Sequence, residues 1–155
     1  MNVASKGTDF DSFMSNEERI HQIDYYGQLG LYKKFLSKPN EYRELHWTAM
    51  TQNISHPNAI VISNENGQKM GFIKTNEPYD ISFKRMEKNK MITYYIKVYS
   101  SPSERLDEID KLPLITPKEL FKYSGKDVKL VICRVFVKDN NVQQVLFYNI
   151  NDNLI

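Results

Sequence analysis

Ala59-Ile60-Val61-Ile62-Ser63-Asn64-Glu65-Asn66-Gly67-Gln68-Lys69-Met70-Gly71-Phe72-Ile73-Lys74-Thr75 sets two apolar runs on either side of an Asn-Gly step. Asn and Gly tolerate positive φ, so the step between such runs predicts a β-hairpin, with strands at Ala59–Ser63 and Met70–Thr75. Pro78 closes the second strand. Downstream the pattern stays at period two. Met91–Tyr99 predicts a further strand, with Ile92, Tyr94, Ile96 and Val98 on one face and Thr93, Tyr95, Lys97 and Tyr99 on the other. Val128–Val137 is apolar on both faces, as a central strand must be. Asp139-Asn140-Asn141 then supplies a tight turn into a last strand, Val142–Ile150.

Upstream the spacing is helical. Residues 1–9 are polar and small, and are expected to fray. Ser15-Asn16-Glu17-Glu18 has the form of a capping box, followed by Ile20, Ile23 and Tyr26 at helical intervals. Gly27 and Gly30 interrupt this pattern, so the helix either ends near Gly27 or bends and continues to the stop at Pro39. Asn40 suits the cap of a second helix carrying Tyr42, Leu45 and Ala49 along one side. Ser101-Pro102-Ser103 begins a turn, with a short helix through Leu106 and Ile109. Thr116-Pro117-Lys118-Glu119 starts another, ending near Gly125.

Helices followed by hairpins give an α+β class: a helical N-terminal third packed on an antiparallel, hairpin-rich β-sheet. The expected organisation is one domain over 1–155, with 10–53 helical and 58–155 mainly antiparallel strands with short helices. The 155 residues suffice for one core without a metal or disulfide, since such a chain buries about two-thirds of its unfolded surface. Hydrophobic content of 41% and charged content of 26% exclude the disordered class. The lone cysteine forms no internal disulfide, and no run reaches the roughly 18 apolar residues of a membrane span. A soluble, cytoplasmic protein with no membrane partner is expected. Frequent Asn, Lys, Ile and Tyr, encoded by AT-rich codons, point to a low-GC bacterium or to a phage or plasmid within one.

Catalytic chemistry finds little to stand on. Cys133, the only thiol, lies among Val131, Ile132 and Val135, which predicts burial rather than nucleophilic use. His21, His46 and His56 do not share the close spacing of metal ligands. Glu17-Glu18 reads as a helix N-terminus, and Asp107, Glu108 and Asp110 read as a solvated charged segment. No glycine pattern cradles a phosphate. Neither cofactor nor metal is expected, and no catalytic residue is assigned.

Asn141 to Tyr148, behind a paired apolar strand, resembles the closing Asn-to-Tyr motif of the GNAT acetyltransferases. The hairpin at 58–75 is similar to their second and third strands. Their glycine-bearing acetyl-CoA loop corresponds to Ser101-Pro102-Ser103-Glu104-Arg105-Leu106-Asp107, acidic and without glycine. The resemblance therefore implies a degenerate relative that does not acetylate.

What remains is binding. Ten Tyr and eight Phe suit interface anchors, and Tyr42, Trp47, Tyr95 and Tyr99 are the candidates. The expectation is a non-enzymatic protein that docks on another protein and modulates it, such as a phage- or mobile-element-encoded inhibitor of a host enzyme, for instance a defence nuclease. A second expectation is a nucleic-acid-binding module at 84–99, where Lys84, Arg85, Lys88, Lys90 and Lys97 are interleaved with Tyr94. The net charge of +2 favours neither. A third is a divergent enzyme, either a nuclease or the GNAT-like acyltransferase.

Overall fold

The computed structural model describes residues 16–52, 54, 55, 57, 59–64, 66–74, 77–102 and 118–150. In chain order the elements are α1 (Asn16–Leu36), β1 (Arg43–Trp47), β2 (Met50–Gln52), β3 (Ile60–Ser63), β4 (Lys69–Ile73), β5 (Ile81–Glu87), β6 (Lys90–Pro102), a 3-10 helix (Lys118–Tyr123), β7 (Val128–Lys138) and β8 (Asn141–Asn149). The class is mixed α+β, with a mostly antiparallel strand arrangement. No described helix is long and apolar enough to cross a membrane.

The Asn-Gly hairpin forms as its residues dictate. Asn64 Oδ1 accepts the backbone N–H groups of Asn66 at 2.9 Å and Gln68 at 2.8 Å, while Gly67 takes φ +77°. β3 and β4 leave this turn antiparallel, and β2 pairs with the other side of β4. This small sheet is tied to the helix: the Tyr26 hydroxyl donates to the Ser63 carbonyl, and Gln22 Oε1 accepts the Ser63 N–H.

The larger sheet runs β1-β5-β6-β7-β8. Every neighbouring pair is antiparallel except β6 and β7, which run parallel from Thr93↔Val128 to Pro102↔Val137. β7 is an interior strand, flanked by β6 and β8 and buried from Leu130 to Val137, as its two apolar faces require. Asp139 and Asn140 both hold positive φ in the β7–β8 turn.

α1 neither ends at Gly27 nor breaks there. Its two glycines face the sheet: a Cβ on Gly27 would meet Ser100 Oγ, and one on Gly30 would meet Val142 Cγ2 at 2.3 Å. They act as close-approach positions, allowing the helix axis nearer to the strands than side chains would permit. Tyr25, Tyr26, Leu31 and Phe35 from α1 then share a core with Ile62, Phe72, Ile81, Ile96, Cys133 and Val135. The other face of the large sheet has a smaller core of Leu120, Leu130, Ile132 and Ile150, beneath the 3-10 helix.

The helical N-terminal third is corrected. Among the described residues α1 is its only α-helix, and the second helix expected from Asn40 is strand β1. Leu45 and Ala49 fit helical spacing, yet Leu45, Trp47 and Ala49 also fit period two, and all three pack on the core. Pairing of Trp47 with Ile81 and His46 with Ser82 decides between the two patterns. The short helix expected near 118–125 is the 3-10 helix. The capping Ser15, the frayed 1–9 and the helix through Leu106 and Ile109 lie outside the described residues.

Candidate functional site

Past Leu36 the helix no longer covers the large sheet, and a groove opens on the sheet's helix-side face. Phe35 closes it on the helix side, Tyr42 and Phe83 on the β5 side and Phe147 on the β8 side, with Tyr94 in the floor. Its volume is about 300 Å³. A second cavity of about 310 Å³ shares Phe35, Tyr42 and Phe147 and extends along α1 past Leu31, Lys34 and Lys38.

Alternation on the strands builds this wall. Phe83 and Tyr94 oppose each other across β5 and β6, with ring centroids 4.8 Å apart and stacked. Phe35 stands 4.7 Å from Phe83 and 4.7 Å from Tyr42. Phe147 is the loose end of the array: it is 53% exposed and 6.5 Å from Phe35.

Charges along the floor are matched. Arg85 donates to Glu41 at 2.8 Å with its guanidinium 5.5 Å from the Tyr42 ring. Glu87 accepts from the Tyr94 hydroxyl and from Lys129 at 2.9 Å. The Tyr94 hydrogen bond, followed by that of Lys129, holds the Glu87 carboxyl below its usual range. Burial, then Glu87, pushes the Tyr94 phenol up.

The expected anchor residues divide between faces. Tyr42 lines the groove. Trp47 lies on the helix side but outside it, between Tyr25 and Tyr32, with its indole N–H donated to Gln28. Tyr95 and Tyr99 point to the opposite face, where Tyr95 stacks on Tyr123 at 4.4 Å. The basic set divides too. Arg85 and Tyr94 enter the groove, Lys84 pairs with Glu44 at 3.4 Å, and Lys97 pairs with Asp80 at 3.3 Å. Lys88 and Lys90 stand exposed at the β5–β6 turn. Phe35, Phe83, Lys129 and Phe147 were not singled out from the sequence, although the alternation Ile81-Ser82-Phe83 carried a signal for one of them.

A separate polar cavity of about 230 Å³ lies among Thr48, Lys74, Glu77, Asp80 and Lys97. Asp80 is 4% exposed and accepts the Val98 N–H at 2.7 Å. Burial raises its pKa, against the pull of Lys97. The Asp80 backbone bonds both Ile96 and Thr48, so the cavity sits where β5 begins and acts as a joint between strands.

Cys133 is fully buried under α1, and burial pushes its thiol up. His46 lies exposed on β1, its ring 6.3 Å from Tyr79, and His21 is half-buried on α1. No group of three or more His, Cys, Asp or Glu side chains that could hold a metal occurs among the described residues. His56, Asp107, Glu108 and Asp110 lie outside them. Asn141, which carried the acetyltransferase resemblance, donates its side-chain amide to the Asp139 carbonyl at 2.9 Å, a bond local to the turn. No protein-family model, curated protein or solved structure significantly matches this chain.

Proposed function

We propose that this chain is a protein-binding domain that grips a segment of a partner protein in the groove between the end of α1 and β8. The observation that carries this reading is Phe147, a ring 53% exposed at the mouth of an aromatic-lined groove of about 300 Å³. Partly exposed aromatics beside a concave apolar surface are what binding anchors use, because desolvating the ring and filling the pocket act together. A domain that binds in this way acts on its partner by occupying it, which suits a modulator or an inhibitor carried by a mobile element. The nucleic-acid reading has less support: Lys84, Arg85 and Lys97 each face a carboxylate, and of that set only Lys88 and Lys90 extend into solvent without one among the described residues.

The test is capture from a low-GC bacterial lysate by the tagged chain, with and without nuclease, beside the variant Phe147→Asp. A stoichiometric protein held by the wild type, resistant to nuclease and lost on Phe147→Asp is the expected result. Equal capture by both chains overturns the groove. Partners that vanish with nuclease move the function to the turn at Lys88 and Lys90.

A further inference from the structure

Charge is spread unevenly around the groove. Arg85 and Lys129, which line it, are matched by Glu41 at 2.8 Å and by Glu87 at 2.9 Å. Lys34 and Lys38 line the adjoining cavity of about 310 Å³, and both are exposed. The ion pairs among the described residues take Lys74, Lys84, Arg85, Lys97 and Lys129, and neither Lys34 nor Lys38 enters one. The Ser37 hydroxyl beside them donates to the Lys34 carbonyl at 2.7 Å, so it is engaged with the helix end. Two ammonium groups around one cavity repel each other, and a carboxylate set between them turns that repulsion into attraction.

Both lysines are held close to the aromatic rim. Cys133 and Phe147 are register partners on β7 and β8. Burial raises the Cys133 thiol and the Lys34 ammonium opposes that rise, so the charge of Lys34 acts across the strands where Phe147 stands. Lys38 follows the end of α1, its N–H donated to the Phe35 carbonyl at 3.1 Å. Phe35, Tyr42 and Phe147 belong to both the groove and the cavity, so an apolar compartment and a cationic one adjoin over these three rings. A compact space of about 300 Å³ is about 8 Å across, which sets the two centres no more than about two residues of extended chain apart.

We infer that the partner segment carries an acidic side chain, held between Lys34 and Lys38, about two residues from a large apolar side chain that fills the groove beside Phe147. The inference rests on the protein-binding reading above and adds the chemistry of the segment. The apolar side chain takes the compartment walled by Tyr42, Phe83 and Phe147, where desolvation of the rings is the gain. The acid takes the compartment whose charge is unmatched, and complementarity of this kind fixes the direction in which a segment lies. A nucleic-acid strand suits the same lysines less well. Its phosphates recur along the whole chain, and those over the groove would meet Glu41 and Glu87, the partners of Arg85 and Lys129. One acid near one apolar anchor matches a surface that is cationic at one end and neutralised at the other.

The experiment selects a random library of short linear peptides on the immobilised full chain. An enriched peptide is then made with its acidic residue and with the matching amide, and the Kd of each is measured against wild type and Lys34→Gln/Lys38→Gln. Expected are peptides that share an Asp or Glu about two positions from a large apolar residue. The amide should bind wild type about three- to tenfold more weakly at low salt, with the difference fading as salt rises. Against Lys34→Gln/Lys38→Gln the acid and the amide should bind alike, and Lys34→Glu/Lys38→Glu should prefer a lysine at that position. The comparison of acid with amide on the wild-type chain needs no variant, so it decides even where a substitution impairs folding. Enrichment of apolar peptides without an acid, or equal binding of acid and amide to wild type, overturns the inference and leaves the groove standing. A preference for the acid that persists in Lys34→Gln/Lys38→Gln places its contact elsewhere and overturns it as well. Displacement of the peptide by single-stranded DNA, or by self-association of the chain, names a different occupant and has the same result. Failure of the groove itself shows separately, as equal capture by wild type and Phe147→Asp.

Discussion

The indole N–H of Trp47 donates to Gln28 Oε1 at 2.7 Å, and the Gln28 amide in turn donates to Asp24 at 3.1 Å. Gln28 is fully buried, so this bond satisfies a carbonyl that has no water to turn to. Lys74 closes the chain on Asp24 at 2.7 Å, joining β1, the middle of α1 and the end of β4. Trp47→Phe strands the Gln28 oxygen and should cost about 1–3 kcal/mol in urea unfolding. Trp47→Phe/Gln28→Leu should cost less than the sum of the single changes, because the orphaned acceptor is gone. Partner capture by Trp47→Phe should match that of the wild type, since the ring lies outside the groove.

Gly27→Ala tests the close approach of helix and sheet. Alanine gains about 1 kcal/mol of helix propensity. Its Cβ would sit 2.0 Å from Ser100 Oγ and 3.0 Å from Ser100 Cβ, however, and such overpacking costs about 1–3 kcal/mol. Net destabilisation is expected in thermal or urea unfolding, with partial recovery in Gly27→Ala/Ser100→Gly. A variant more stable than wild type would show that α1 can lift away freely.

Two carboxylates should titrate in opposite senses. Burial raises Asp80, so its contribution to stability is full below the unfolded carboxylate pKa and is lost as pH rises through the folded value. The hydrogen bond from Tyr94 and the pairing with Lys129 lower Glu87, so its contribution is present above the unfolded pKa and is lost as pH falls through the folded value. NMR titration of the side-chain carboxyls should place Asp80 above and Glu87 below their ordinary values. In stability–pH curves, Glu87→Gln should flatten the acid limb.

Cys133 should resist alkylation. The thiol is fully buried, and burial raises its pKa, so the native chain exposes neither the atom nor its thiolate. Iodoacetamide should leave the folded protein unmodified and label it completely in denaturant, as mass spectrometry would report. Rapid labelling of the native chain would mean that α1 opens readily from the sheet.

Much of the strand framework could be read from local chemistry. Asn64, Gly67, Asp139 and Asn140 are turn residues whose positive φ or side-chain bonds work within a few residues, so their hairpins were legible. β7 announced itself by being apolar on both faces. The failures are non-local. Leu45 and Ala49 satisfy both periods, and only β5 across the sheet selects the strand. Gly27 and Gly30 look like breaks until Ser100 and Val142 are seen against them. The groove was half legible: Tyr42, Arg85 and Tyr94 were singled out in two different roles, while Phe35, Phe83 and Phe147 join them only through folding.

The parallel pairing of β6 with β7 has a consequence for how the chain reaches this state. β5–β6 and β7–β8 are hairpins with tight turns, closable by segments adjacent in sequence. Joining them requires residues 93–102 to meet residues 128–137 across the whole intervening crossover, the slow, entropy-limited kind of contact. On a ribosome, β5 and β6 emerge well before β7 exists, and Ile96 and Val98 must wait without the strand that finally covers them. The nascent chain is thus most vulnerable to misassociation after β6 has emerged and before β7 follows it.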